Sequence, residues 1–277
     1  SDMNVAVREA SEAQRRLVAL PYKTRQDMIE NARKRLLENV PELARLSVQE
    51  TGLGRVKDKA QKIILAITKT PGTEDLEPRA FTGDNGLSLV ERTPFGVLGA
   101  ITPSTNPSET VINNGIGMVA AGNGVAINPH PGAKKVSQMA LSIMNRAFVE
   151  AGGPPNLMTT VQEPTLETSR QLMHHKDVKV LVVTGGGAVV KAAFASGKKV
   201  IAAGPGNPPV VVDETANIAR AAKHIVDGAS FDNNVLCIAE KEIICVDSVA
   251  DELIRHMKAN GAYQVIGGNI QRLERLV

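Results

Sequence analysis

Hydrophobic positions follow a helical spacing in the first quarter of the chain. Leu36, Val40 and Leu43 recur every three or four residues among charged neighbours, so residues 1–68 are predicted to be helical. Pro41 falls inside this pattern and predicts a break with a new helix start, because proline is tolerated only in the first turn of a helix. The chain therefore opens with a set of helices and no strand.

Beyond residue 95, short apolar runs alternate with helical segments. The runs cover residues 95–101, 124–127, 157–161, 178–183, 199–202 and 210–212. Between two of them, Val136, Ala140 and Ile143 share one helical face. This alternation predicts βαβ units and an α/β fold with a parallel sheet. Ligands bind such sheets beyond the carboxyl ends of the strands, so the loops after the runs are the candidate binding loops.

Two segments lie outside this alternation. Residues 70–86 are polar with several glycines and a proline, which predicts a long connection between substructures. Residues 242–246 form another apolar run and predict a strand, after which Leu253 and Met257 share a helical face with Val249. A further strand and helix are therefore expected near the end of this sequence.

The loop after the first run reads Thr-Pro-Ser-Thr-Asn-Pro over residues 102–107. Two prolines stiffen the backbone around small polar side chains that lead into a helix. One interpretation is an ordinary helix-capping loop. The other is a set of side-chain donors held over a developing oxyanion or a ligand ring.

The loop after the second run reads Asn-Pro-His-Pro-Gly-Ala-Lys-Lys over residues 128–135. His130 lies between two prolines on nearly fixed backbone. A lone histidine is most often a hydrogen-bonded structural residue, but its place before a basic helix start also suits a phosphate. Lys134 and Lys135 fit a solvated helix face equally well.

Two later loops are rich in glycine. Residues 184–187 read Thr-Gly-Gly-Gly and open a predicted helix, while residues 203–206 read Ala-Gly-Pro-Gly. Glycine lets a ligand approach the backbone, and a helix start favours a phosphate. The glycine run lacks the spacing of the dinucleotide fingerprint, so it is weak evidence by itself.

Cys237 is one of only two cysteines in 277 residues. It follows a polar Asp-Asn-Asn turn at residues 232–234 and precedes the strand predicted at residues 242–246. A thiol at such a junction is both held and reachable, as a nucleophile must be. Free cysteines are more often small buried apolar residues, so the residue type alone favours the structural interpretation.

Composition narrows the class of protein. No apolar run reaches the roughly 18 residues that a membrane span needs. The net charge is +3 with both signs interspersed, aromatic residues make up 3% and tryptophan is absent, which argues against nucleic acid as a partner. Two distant cysteines argue for a reducing compartment such as the cytoplasm. No spacing of histidine, cysteine and carboxylate matches a metal ligand set, so no metal is expected.

Taken in order, the motifs of this chain resemble those of the CoA-acylating aldehyde dehydrogenases, above all the propionaldehyde and acetaldehyde dehydrogenases of bacterial microcompartments. The most distinctive motif is Gly-Ala-Ser-Phe-Asp-Asn-Asn at residues 228–234. The resemblance covers about residues 10–258. The other matching motifs lie at residues 51–54, 82–86, 103–107, 112–114, 129–135, 184–186, 206–209 and 212–215.

The resemblance implies the aldehyde dehydrogenase fold, in which a Rossmann-like parallel sheet has flanking helices. Residues 1–235 would hold the N-terminal helices and the NAD-binding domain. Residues 236–277 would begin a second α/β, catalytic domain. Because chains of this family are far longer, the rest of that domain is expected to be absent from this sequence. A homo-oligomer, and a place inside a bacterial microcompartment with shell or cargo association, are also implied for the complete protein.

The resemblance also implies a chemistry. Cys237 would attack an aldehyde such as propionaldehyde or acetaldehyde as a thiolate, hydride would pass to NAD, and coenzyme A would take the acyl group from the resulting thioester. Asn106 or Thr105, with the backbone N–H of Cys237, would hold the oxyanion. The implied cofactor-binding residues are Thr102, Pro103, Asn128, His130, Pro131, Gly132, Thr184, Gly185, Gly186, Ala203 and Gly204.

Residues 203–206 bear on the fate of the thioester. Hydrolytic aldehyde dehydrogenases carry a glutamate base in a Glu-Leu-Gly-Gly turn, whereas the matching turn here has no carboxylate. An enzyme that keeps its thioester for a thiol gains by lacking a base for water.

Three other interpretations stay open. The same site could reduce an acyl-CoA to the aldehyde. The 277-residue chain could be a non-catalytic cofactor-binding fragment. An acyl-phosphate or semialdehyde reductase on the same fold would prefer NADPH, and the motifs at residues 102–106 and 232–234 argue against it. NAD rather than NADP rests on the family alone.

Overall fold

The computed structural model describes residues 2–276. They fall into two units, Ser1–Pro205 and Gly206–Val277, each with its own internal contacts. The first unit opens with the predicted helices, α1 (Met3–Val18), α2 (Tyr22–Glu38), α3 (Val40–Thr51) and α4 (Val56–Lys69). None of the helices in residues 2–276 is long and apolar enough to cross a membrane.

Pro41 lies in the first turn of α3, so the predicted break between two helices is confirmed. α2 ends at Glu38, and α3 starts at Val40 after the single residue Asn39. α3 ends at Gly52, whose φ of 68° is the left-handed conformation that commonly closes a helix and that glycine adopts without strain.

A β-hairpin stands where the sequence predicts only a connection. β1 (Arg79–Gly83) pairs antiparallel with β2 (Gly86–Val90), with Gly83 opposite Gly86 across a two-residue turn. Every residue of both strands is exposed within the chain. Their apolar side chains are exposed as well, among them Phe81, Leu87 and Leu89, so the hairpin buries neither face within the chain.

The central sheet of the first unit is parallel. Its strands are β3 (Val97–Thr102), β4 (Gly124–Pro129), β5 (Met158–Thr160), β6 (Val178–Thr184) and β7 (Lys199–Ala203). Their spatial order is β5-β4-β3-β6-β7. The helices between them are α5 (Pro107–Ala120), α6 (Lys134–Glu150), α7 (Leu166–His174) and α8 (Gly187–Phe194). This confirms the predicted α/β fold with a parallel sheet and flanking helices.

β3 and β4 are buried at every position because both faces of the sheet are covered. Leu98 and Val125 pack into one hydrophobic cluster with α5 and α6, while Val97 and Ala126 pack into the other with α1 and α7. Burial on both faces explains why these strands read as continuous apolar runs. It also places their carboxyl ends on a rigid base.

The sixth predicted run joins a different sheet. β8 (Pro209–Val212) lies in the second unit and pairs in parallel with β9 (Glu242–Cys245). The other elements of this unit are α9 (Ile218–Ser230), α10 (Asp247–Ala259) and α11 (Gly268–Glu274). Leu253 is buried against α9, with Val249 and Met257 packed beside it, so the predicted helical face is confirmed.

The two units divide at Pro205 and Gly206, whereas the sequence predicts a domain boundary between residues 235 and 236. The difference has a structural cause. β8 pairs with β9 and α9 packs on α10, so residues 209–230 have their neighbours among residues that follow them. The domain limits themselves stay a prediction.

Candidate active site

Four strands of the central sheet end side by side. Thr102 of β3 pairs with Pro129 of β4, and Thr184 of β6 pairs with Ala203 of β7. The chain runs from β3 outward to β4 and β5 on one side, and to β6 and β7 on the other. β3 and β6 therefore flank a topological switch point, where open α/β sheets form a ligand crevice. Several of the predicted cofactor residues lie at this edge.

The glycine-containing loops after β6 and β7 have open space beside their backbone. A Cβ atom added to Gly186, Gly187 or Gly204 would meet nothing within 4 Å. Glycine at these positions is therefore not required by packing within the chain, and the bare backbone is open to a ligand. Gly185 differs, because its added Cβ would lie 2.7 Å from Val189 and its N–H donates to the carbonyl of Ala203 at 3.1 Å.

The loops after β3 and β4 are joined through Thr102. Its carbonyl accepts a hydrogen bond from the N–H of His130 at 3.0 Å, and the Nδ1 of His130 accepts one from the N–H of Gly132 at 3.1 Å. The Oγ1 of Thr102 is buried without a hydrogen-bond partner within residues 2–276. An unpaired buried hydroxyl costs about 1–3 kcal/mol, so a polar ligand that pairs with it would be favoured.

Asn128 has its side-chain amide engaged within the fold. Its Nδ2 donates to the carbonyl of Thr165 at 3.4 Å, and its Oδ1 accepts from the hydroxyl of Thr168 at 2.6 Å. Thr165 is the N-cap of α7, so Asn128 fastens that helix to the end of β4. Contact between the Asn128 side chain and a cofactor stays a prediction. Such a contact would have to share the amide atoms that already bind Thr165 and Thr168.

The start of α6 already holds an anion, which sequence reasoning missed. The Glu50 carboxylate accepts hydrogen bonds from the N–H groups of Lys135 and Val136, both at 2.8 Å. Lys134 pairs with Glu163. A carboxylate on these amides satisfies them and repels a phosphate, which argues against the phosphate interpretation of this helix start.

The two candidate oxyanion donors lie next to each other before α5. The Nδ2 of Asn106 donates to the Thr105 hydroxyl at 3.2 Å, and the Asn106 Oδ1 is buried without a partner in the described chain. Asn106 occupies the N-cap position of α5, yet its side chain makes no capping hydrogen bond. A capping loop would use that oxygen on the helix amides. The side chain of Asn106 therefore does not cap α5, and only its Nδ2 could donate to an oxyanion.

Two lysines below this loop were missed by sequence reasoning. Lys59 and Lys62 belong to α4 and are buried, although lysine is almost never fully buried. Their spacing with Ile63 and Ile67 places all four near one helical face. The presence of lysines at core positions of this helix was the sequence signal that could have predicted their burial.

Cys237 lies in the second unit, in a turn that follows α9, and is partly exposed. The preceding Asp232, Asn233 and Asn234 all have left-handed φ angles of 50–57°. Asparagine and aspartate adopt that conformation more readily than other residues with side chains. The Asn234 amide donates to the carbonyls of Ala229 at 2.7 Å and Glu240 at 3.1 Å, which ties the two ends of the turn together.

The backbone of Cys237 packs closely on Gly206. A Cβ atom at Gly206 would lie 2.2 Å from the carbonyl oxygen of Cys237, so only glycine fits there. On the other side, the Nζ of Lys241 donates to the carbonyls of Leu236 at 2.9 Å and Ala239 at 3.0 Å. Cys237 thus lies on backbone held by contacts on both sides, and the residue is only partly buried. This differs from the fully buried cysteine of the structural interpretation.

The described residues, 2–276, contain no group of three or more histidine, cysteine, aspartate or glutamate side chains that could hold a metal ion. Both cysteines, Cys237 and Cys245, are free thiols.

The sequence model of the aldehyde dehydrogenase family matches residues 1–272. The chain belongs to the aldehyde dehydrogenase family. An acetylating acetaldehyde dehydrogenase of Bilophila wadsworthia is 53% identical over 261 residues, which are 94% of this chain and 54% of that aldehyde dehydrogenase. The chain thus spans about half the length of this relative.

Two solved aldehyde dehydrogenases match the whole chain with a TM-score of 0.96 and 48% identity. One is a propionaldehyde dehydrogenase from the fucose utilisation microcompartment of Clostridium phytofermentans. The other is a Rhodopseudomonas palustris propionaldehyde dehydrogenase with bound CoA and an acylated cysteine. This chain covers 64% of each. These similarities confirm the resemblance to the CoA-acylating branch.

Proposed function

We propose that the complete protein oxidises a short-chain aldehyde, propionaldehyde or acetaldehyde, to its acyl-CoA with NAD as the hydride acceptor. The observation that carries this proposal is the Cys237 turn. Its backbone is held by Gly206, Asn234 and Lys241, and Cys237 is a free, partly exposed residue. A rigidly placed and reachable thiol is what nucleophilic catalysis needs. The acylated cysteine of the R. palustris relative supports the same chemistry.

In this proposal the Cys237 thiolate adds to the carbonyl carbon of the aldehyde. The oxyanion that forms is stabilised by the Cys237 N–H together with Asn106 or Thr105. As the carbonyl re-forms, the hydride leaves and the acyl group remains on Cys237 as a thioester. The thiolate of CoA then adds to the thioester carbonyl, and Cys237 departs as the thiolate that began the cycle.

NAD, when bound, supplies a nicotinamide carbon that accepts the hydride. The residues present fit such a group, because Thr102 offers an unpaired buried hydroxyl and the backbone at Gly186 and Gly204 is open. The residues proposed to hold it are Thr102, Pro103, Asn128, His130, Pro131, Gly132, Thr184, Gly185, Gly186, Ala203 and Gly204. A crevice at the switch point of the sheet is the expected place for a dinucleotide.

Transfer of the acyl group to CoA rather than to water follows from the absence of a carboxylate in residues 203–206. They read Ala-Gly-Pro-Gly and carry no carboxylate that could activate a water molecule. The bound CoA of the R. palustris relative supports CoA as the acceptor. The reverse direction, reduction of an acyl-CoA, would use the same groups. Homo-oligomerisation and microcompartment association of the complete protein belong to the proposal as well.

The test is NADH formation by the complete protein from propionaldehyde and NAD, with and without CoA. Turnover that requires CoA is expected, and Cys237→Ala should abolish it. Cys245→Ala is the matched control, because it removes the other free thiol and should retain turnover. Turnover that survives in Cys237→Ala would exclude the thioester route. Turnover with phosphate in place of CoA would favour the acyl-phosphate alternative.

A further inference from the structure

Buried polar side chains form a cluster between α3, α4 and α5, which we call the α4–α5 polar cluster. Its members are Ser47, Lys59, Lys62, Ser108 and Glu109. The Lys62 Nζ lies 3.5 Å from the Glu109 carboxylate, whose second oxygen accepts from the Ser108 hydroxyl at 3.0 Å. The hydroxyls of Ser47 and Ser108 are 3.4 Å apart. Ser108 and Glu109 lie in the first turn of α5.

Lys59 connects this cluster to the loop before α5. Its side chain has no exposed surface, and its Nζ donates to the carbonyl of Thr105 at 2.6 Å. A hydrogen bond from an amino group of such short length is strong and directional in a dry environment. The contact spans 46 positions of the chain, from near the start of α4 to the residue before Asn106.

Burial of an amino group is costly unless its hydrogen bonds are made, and an apolar side chain would fill the same space at lower cost. The polar contacts of the cluster converge on the first turn of α5 and on the residue just before Asn106. Buried polar groups that pack behind a loop can fix the orientation of the reacting side chains on that loop. The burial of Lys59 is thus explained by the hydrogen bond from its amino group to the Thr105 carbonyl.

The peptide bond that joins Thr105 to Asn106 is planar, so a fixed Thr105 carbonyl also fixes where the Asn106 backbone begins. The carbonyl of Asn106 is held from the other side by the N–H and hydroxyl of Thr110, at 3.1 and 2.6 Å. Asn106 is therefore clamped on both sides, while its Oδ1 has no partner in residues 2–276.

We propose that Lys59 is a positioning residue, which holds the Thr105–Asn106 peptide in the orientation that the oxyanion donors need. The inference rests on the proposed function. Lys59 itself touches no reacting atom and acts through Asn106. Loss of its contact would let the loop shift, and a shift of about 1 Å at a reacting group can cost about a hundredfold in rate.

The experiment compares variants of the complete protein by kcat, by KM for aldehyde, NAD and CoA, and by thermal midpoint. Lys59→Met should lower kcat by about tenfold or more, while the KM values change by less than about threefold. Arg33→Met is the matched control. Arg33 also donates to backbone carbonyls at α4, those of Ile67 and Thr70 at 2.7 Å each, but at the far end of that helix. It should lower the midpoint and leave kcat per folded enzyme unchanged.

A double-variant comparison separates positioning from general stability. In an Asn106→Ala background, Lys59→Met should cost less than about threefold in kcat, because residues that act through one another are not additive. Lys59→Gln keeps an N–H donor and should retain a kcat between those of the Met variant and the parent. If Lys59→Met does not fold, Lys59→Gln carries the same double-variant comparison.

Three results would overturn the inference. An unchanged kcat per folded enzyme in Lys59→Met would do so, as would a loss that is equally large with and without Asn106. A parallel fall of kcat in Arg33→Met would show that any loosening of α4 has the same effect. The proposed function fails by a different result, which is turnover that persists in Cys237→Ala.

Discussion

Gly206 shows how closely the chain packs around the candidate nucleophile. A side chain there would collide with the carbonyl oxygen of Cys237, which is a backbone atom and cannot rotate away. The amide of Asn234 and the amino group of Lys241 hold the same turn by hydrogen bonds. These contacts hold the backbone of the turn that carries the thiol.

Gly206→Ala is therefore expected to lower the free energy of unfolding of the second unit by about 1–3 kcal/mol, the usual cost of inserting a methyl group into a packed site. It should also lower kcat, because the Cys237 carbonyl must move. Gly117→Ala is the control. Its added Cβ meets nothing within 4 Å and lies inside α5, where alanine is the better helix former. Urea unfolding and steady-state rates on the complete protein check both. Equal effects of the two substitutions would contradict the packing argument.

His175 links stability to pH. Burial lowers its pKa, helped by the nearby Lys176 and Lys198 and opposed by Asp177. Its Nδ1 accepts a hydrogen bond from the N–H of Asp177 at 3.2 Å, which protonation would remove. Because the folded pKa lies below the unfolded one, the unfolded state binds the proton more readily. The contribution of His175 is full above its unfolded pKa of about 6.5 and is lost as the pH falls through the folded value.

Lowering the pH from about 7 to about 5 should thus destabilise the protein more than it destabilises His175→Gln. Urea unfolding at the two pH values measures the difference. His174→Gln is a control on the adjacent histidine. If the parent and His175→Gln lose stability equally over this range, His175 does not carry the pH dependence.

Long-range contacts between helices support the candidate loops, and local sequence patterns do not predict these contacts. Glu50, at the end of α3, closes the amino end of α6 across 86 positions of the chain. Lys59 of α4 reaches the loop before α5 in the same manner. Neither contact shows in the spacing of nearby residues, because the partner lies far away in the sequence. This is why the candidate loops could be found from the sequence while their supports could not.

Glu50→Ala should remove an anion and two hydrogen bonds from the start of α6 and lower the free energy of unfolding by about 1–2 kcal/mol. Glu38→Ala is the control. That carboxylate forms an exposed ion pair with Arg35 at 3.2 Å, and solvent screening makes its expected contribution to stability small. Chemical denaturation of both variants measures the difference. A loss no larger in Glu50→Ala than in Glu38→Ala would show that the cap is dispensable.

β3 and β4 were predictable because their burial on both faces leaves a continuous apolar run. The hairpin of β1 and β2 was not, since its ten positions are all exposed. The run at residues 210–212 was recognised as a strand but assigned to the wrong sheet. Its partner β9 follows about 30 positions later, and strand pairing at such a distance leaves no trace in the local pattern.

For the whole molecule, the described chain divides the candidate chemistry between two units. Ser1–Pro205 contains the sheet edge and the residues proposed for the cofactor and the oxyanion. Gly206–Val277 contains Cys237 and the contacts that hold its turn. The resemblance identified in the sequence rested on motifs from both units, and the family comparisons confirm it. The domain limits and the assignment of individual cofactor contacts stay predictions.

The proposed function places the acyl group on Cys237, and mass spectrometry of the acylated enzyme can locate that group. The complete protein would be incubated with propionaldehyde and NAD without CoA, then digested and mapped. We expect one propionyl group on the peptide that contains Cys237, its release when CoA is added, and no adduct in Cys237→Ala. A propionyl group on Cys245, or NADH formation in CoA-free solution that continues without any acylated cysteine, would contradict it.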